Sequence, residues 1–169
     1  MAGRQLPIEE ILALLEQGPR RIAELTDGLS TGQLHTPPGG GEFWSANDAL
    51  AHLRSCADVW GGAIRTIILE DRPTIRAVNP VTWLKSTEYP DLEFHYSLGF
   101  FATGRAELLA VLGPLPLDGW ARSATVTGAG APLERTVRLY AQWLASHERS
   151  HYRQFAQIAA AMRARSPEA

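Results

Sequence analysis

Residues 132–163 read PLERTVRLYAQWLASHERSHYRQFAQIAAAMR. Leu133, Val137, Tyr140, Leu144, Phe155, Ile158 and Met162 recur three or four residues apart, the spacing of one face of an α-helix. His147 and His151 continue that stripe without breaking its register. The pattern predicts a helix from about Pro132, a favourable first-turn residue, to about Arg163. It turns both imidazoles toward the protein interior. An inward imidazole must find a hydrogen-bond partner or a metal ion, because a buried polar group left unpaired is costly.

Three further amphipathic segments precede this one. The first runs from Ile8 to Asp27 and contains Gly18-Pro19, which predicts a kink or a two-piece helix because proline removes an amide and crowds the preceding turn. The second opens at Ser45-Ala46-Asn47-Asp48, a capping-box pattern, and keeps helical spacing to about Leu69. The third follows Tyr89-Pro90-Asp91 and stops at Gly113-Pro114. Strand signals are weak, and only Ala124–Thr127 reads as a short extended piece. Four long amphipathic helices predict an all-α fold, a four-helix bundle occupying residues 1–169 as one domain. Helices of about 24 residues are roughly 36 Å long. The segment from Asp71 to Pro90 spans about 60–70 Å when extended, enough to cross the bundle and leave the second and third helices parallel. Such long crossover linkers often border functional sites.

Composition narrows the function. The chain has 169 residues, 45% of them hydrophobic, and a formal charge of −2 from 16 Lys+Arg and 18 Asp+Glu. That balance argues against nucleic acid as a partner, since binding it needs a cationic surplus. No secretory leader or membrane-spanning run is legible, so the expected compartment is the cytoplasm, with no membrane partner. Cys56 is the single cysteine, which excludes an internal disulfide and any CxxC motif. Metal or acid–base chemistry therefore falls on five histidines and the carboxylates.

On a helix, His147 and His151 at i and i+4 lie about 40° apart around the axis and can grip one ion. His52, on the second helix in line with Ala49, Cys56 and Ala63, supplies a third imidazole. Three imidazoles are a count found at catalytic metal centres that keep an open position. His35, before Thr36-Pro37-Pro38, and His95, early in the third helix, read as structural or solvated. Asp48 and Asp58 can orient an imidazole, although capping and surface solvation are their ordinary roles. Residues 147–151 also match the H-E-x-x-H protease pattern, in which the glutamate is a general base. A downstream third ligand is missing, the only carboxylate after His151 is Glu168, and a substrate-binding sheet edge is not predicted. Glu148, about 100° round the helix from His147, should face solvent or pair with an arginine.

Phe43-Trp44-Ser45 leading into Ala51-His52-Leu53, followed by His147-Glu148-Arg149-Ser150-His151-Tyr152-Arg153-Gln154 on a terminal helix, resembles the DinB-like (YfiT-like) metal-dependent hydrolase superfamily. The resemblance implies an up-down-down-up bundle and a divalent ion, zinc or nickel, held by His52, His147 and His151. It also implies a homodimer and either hydrolysis or S-transfer with a low-molecular-weight thiol cosubstrate, acting on a small molecule. The competing expectation is a metal-binding or stress-response protein without turnover. A pocket at the open position, lined by Trp44, Trp60, Tyr140 or the Asp71–Pro90 crossover, would favour an enzyme. Cys56, one turn from His52, is a candidate to approach the metal; the catalytic base is not legible.

Overall fold

The computed structural model describes residues 5–41 and 43–165; Glu168 lies outside them. Four long helices, α1 (Ile8–Thr26), α3 (Ala46–Leu69), α5 (Phe94–Leu112) and α7 (Val137–Arg165), form the bundle. Short helices α2 (Thr31–Leu34), α4 (Pro80–Leu84) and α6 (Leu117–Ala121) decorate its connections. Strands β1 (Thr74–Arg76), β2 (Ser123–Thr127) and β3 (Leu133–Thr136) make a small sheet in the order β1-β2-β3.

Side-chain register fixes the topology. Leu6 donates its amide to Gln142 and Arg163 donates to the carbonyl of Asp27, so α1 and α7 run the same way. Arg54 donates to Ser97 and Arg65 faces Glu107, so α3 and α5 are parallel. His52 meets His151 while Trp60, two turns later, meets Trp143, so α3 and α7 are antiparallel. The bundle is therefore up-down-down-up.

The α3–α5 crossover is not a free linker. Thr74–Arg76 pairs in parallel with Thr125–Thr127. Asn47 donates to the Pro90 carbonyl at 2.9 Å, and Ser55 donates to the carbonyl of Pro80. Asp58 accepts from Trp83 Nε1 at 3.1 Å and from the Tyr89 hydroxyl at 2.7 Å. These bonds hold the crossover along one side of α3.

Three sequence expectations need correction. The extended piece at Ala124–Thr127 belongs to a three-stranded sheet, because β3 pairs antiparallel with it from Ser123↔Thr136 to Val126↔Leu133. For the same reason the last helix begins at Val137 rather than near Pro132: Leu133–Thr136 is drawn into the ladder beside Ser123–Val126. The break at Gly18-Pro19 does not divide α1, which runs unbroken from Ile8 to Thr26. Gly18 is buried against α7, where an added Cβ would lie 2.8 Å from Glu148 Oε2. Packing against α7 thus outweighs the local helix-breaking tendency of the pair.

The core is divided. One apolar cluster holds Ile11, Leu15, Ile64, Ile67, Leu108, Leu112, Tyr140 and Leu144. The other holds Ile22, Leu50, Leu53, Phe94, Phe101, Phe155 and Ile158. Three of the long helices pass from one cluster to the other at a polar or small residue: Gly18 on α1, Arg105 on α5, Glu148 on α7. The candidate metal centre lies at this level.

A candidate metal centre between α3 and α7

The capping box at Ser45 starts α3. The Ser45 hydroxyl accepts from the Asp48 amide at 3.1 Å, and Asp48 accepts from the Ser45 amide at 2.9 Å. Asp48 is therefore a helix cap and does not orient an imidazole. Starting the helix there places His52 on the face that meets α7, 7% exposed. His147 and His151 lie half-buried on the opposing face of α7.

The three rings converge through their Nε2 atoms. His52 Nε2 lies 2.9 Å from His147 Nε2, and His151 Nε2 lies 3.2 Å from His147 Nε2. Ligand nitrogens about 2.05 Å from a tetrahedral zinc are roughly 3.3 Å apart, so the spacing matches a slightly contracted face of such a centre. His151 Nδ1 is 2.6 Å from Gln154 Oε1. An amide oxygen only accepts, so Nδ1 carries the proton and Nε2 presents a lone pair to the cluster. Burial lowers the pKa of all three imidazoles, with repulsion from His151 adding to the effect at His52 and His147, and His52 falls to about 4. The rings are neutral at pH 7, the form that ligates a metal. Three converging neutral nitrogens without cations of their own fit a divalent ion.

Aromatic rings wall the cluster. The Trp44 ring is parallel to that of His151, within 2°, with centroids 6.3 Å apart, and lies 5.1 Å from His52. Trp60 sets its ring edgewise 5.4 Å from His147. Beyond Trp60 lies a cavity of about 230 Å³ that Trp60, Trp83, Tyr140 and crossover residues Ile75 to Val78 line.

Cys56 Sγ is 3.6 Å from His52 Nε2, but the residue stands outside the three whose ligand atoms all gather within 4.8 Å of one another. Burial, with the Glu148 charge adding, pushes its thiol up to about 12. His35 accepts the Phe94 amide at 3.2 Å and is structural, while His95 is exposed. Asp58 ties down the crossover and makes no bond to an imidazole among the described residues.

Glu148 takes the second of its two expected places: it pairs with an arginine, Arg105, through two contacts, and does so in the core, Glu148 1% exposed and Arg105 3% exposed. Burial raises its pKa while the guanidinium pulls it down. A carboxylate so committed is not available as a protease-type base at the histidines. Arg105 carried a legible sign, since it interrupts the apolar spacing Phe101–Leu108–Leu112 of α5. Gln154 carried one also, standing three residues after His151.

The sequence profile of the DinB superfamily matches residues 14–155. The chain belongs to the DinB superfamily. A comparison with curated proteins finds no match. Among solved structures the fold is similar to YfiT from Bacillus subtilis, described as a probable metal-dependent hydrolase with an unusual four-helix bundle topology. That likeness has a TM-score of 0.76 at 17% identity and covers 96% of this chain and 93% of the other. It bears on the fold of this DinB-superfamily protein. Among the described residues no helix is long and apolar enough to cross a membrane.

Proposed function

We propose that this protein is a cytoplasmic metal-dependent enzyme acting on a small molecule, with His52, His147 and His151 holding one divalent ion, zinc or nickel. The observation that carries the reading is the convergence of three neutral Nε2 atoms with the His151 tautomer fixed by Gln154. Such an ion, when bound, supplies a Lewis acid that lowers the pKa of bound water or of a bound thiol. Hydrolysis and S-transfer from a low-molecular-weight thiol are the two reactions this supports. The chain's own contribution is to keep the imidazoles neutral by burial, to orient His151, and to wall the cluster with Trp44 and Trp60. We further propose a homodimer without nucleic-acid partners, tested by light scattering.

The test of the centre is elemental analysis of tag-free protein beside His52→Ala, His147→Ala and His151→Ala. One ion per chain in the parent, lost in each variant, is the expected result. Stoichiometric metal retained in all three refutes the site. Loaded protein is then assayed on esters and amides, and on electrophiles with and without added thiol.

A further inference from the structure

A second cleft, of about 470 Å³, adjoins the candidate metal centre. Phe43 and Trp44 wall one side of it, and Gln154, Gln157, Ile158 and Ala161 wall the other. The last four stand at i, i+3, i+4 and i+7, one face of α7 that begins about a turn beyond His151. Two wall residues also belong to the centre. Gln154 Oε1 accepts from His151 Nδ1 at 2.6 Å, and the Trp44 ring lies 5.1 Å from that of His52.

The loop wall is held by specific backbone geometry. Gly40 has φ +95°, a left-handed conformation that favours glycine, and its carbonyl accepts the Phe43 amide at 3.1 Å. Gly39 lies so close to the Phe43 ring that an added Cβ would stand 2.6 Å from Cδ2. Arg165 donates to the Pro38 carbonyl at 3.1 Å and ties the loop to the end of α7. Together these contacts hold the Phe43 ring 59% exposed at the cleft, where an apolar ligand would cover it.

The polar groups of the cleft are carboxamides. Among the described residues no acidic or basic side chain forms its walls. Gln154 Oε1 is taken by His151, which leaves the Gln154 amide nitrogen as a donor, and Gln157 adds a second carboxamide at the exposed rim. We propose that this cleft binds a neutral aromatic amide or ester, its ring against Phe43 and Trp44 and its carbonyl oxygen accepting from Gln154. A carboxylate placed there would lose hydration without meeting a cation among the walls, so anionic relatives are selected against. The role of the cleft in choosing a substrate rests on the proposed metal enzyme; the binding itself does not.

Calorimetric titration of the full chain, metal-free and metal-loaded, with phenylacetamide and with its anionic counterpart phenylacetate tests the inference. The amide should bind both forms with a Kd of about 1 mM. In metal-free protein, where no ion draws the carboxylate, phenylacetate should bind about tenfold more weakly. Ala161→Phe, which fills the cleft, should weaken the amide by more than about tenfold while keeping the parent Tm and metal content. Gln157→Arg, at an exposed position, supplies a guanidinium and should strengthen phenylacetate about tenfold in metal-free protein, with the amide little changed. That variant decides the matter if Ala161→Phe lowers Tm. Amide binding absent up to about 10 mM, no tighter than that of the acid, or unchanged by a folded Ala161→Phe overturns the proposal, as does a Gln157→Arg variant that leaves phenylacetate unaffected. Bound metal without amide binding refutes only the cleft, and amide binding without metal refutes only the enzyme.

Discussion

Replacing Glu148 by glutamine isolates the ion pair at the middle of the core. The change keeps nearly the same volume and removes one charge. Arg105 is 3% exposed, and among the described residues its guanidinium pairs with no other carboxylate. Water cannot solvate it and no second counter-charge is in reach. Breaking a buried pair by removing one partner costs about 3–5 kcal/mol, a large share of the roughly 5–15 kcal/mol that holds a domain together. At about 2–4 °C per kcal/mol for a domain of this size, Tm should fall by about 10 °C. The assay is urea and thermal unfolding followed by circular dichroism on metal-depleted protein, which removes any contribution from ion binding. The paired change Arg105→Met with Glu148→Leu removes both charges and fills the site with apolar atoms. It should recover most of the loss, within about 2 kcal/mol of the parent. A loss below about 1 kcal/mol for Glu148→Gln, or a double variant as unstable as the two single losses summed, would refute the assignment of the pair as buried and mutually dependent.

Two further outcomes follow from the same level of the bundle. Gly18→Ala places a Cβ 2.8 Å from Glu148 Oε2, and overpacking of about 1–3 kcal/mol should exceed the gain in helix propensity of about 1 kcal/mol, so Tm should fall by a few degrees; an unchanged or raised Tm contradicts the close approach of α1 to α7. The lowered imidazole pKa values make the metal-free fold pH-sensitive: between the unfolded value near 6.5 and the His52 value of about 4 the unfolded chain binds more protons, so stability is complete above about pH 6.5 and declines as pH falls toward 4. Urea midpoints from pH 7.5 to 4.5 should fall in the parent and less steeply in His52→Gln, whereas identical slopes would contradict a buried neutral His52.

The sequence by itself determined the parts that rest on local chemistry. Helical spacing gave four amphipathic segments. Ser45 and Asp48 marked where α3 begins, and the continuation of the α7 stripe through His147 and His151 turned both imidazoles inward. Each depends on residues within a turn or two of one another, where side-chain spacing and capping dominate. Tertiary structure alone decided what depends on partners far apart in the chain. Leu133–Thr136 is a strand because Ser123–Val126 stands beside it, and α1 stays whole at Gly18-Pro19 because α7 packs there. Glu148 is buried because Arg105, 43 residues away in sequence, arrives with the opposite charge. The cavity beyond Trp60 exists because the crossover is pinned along α3 and the sheet closes one side. Those features are set by desolvation and pairing across the bundle, forces that no single segment carries.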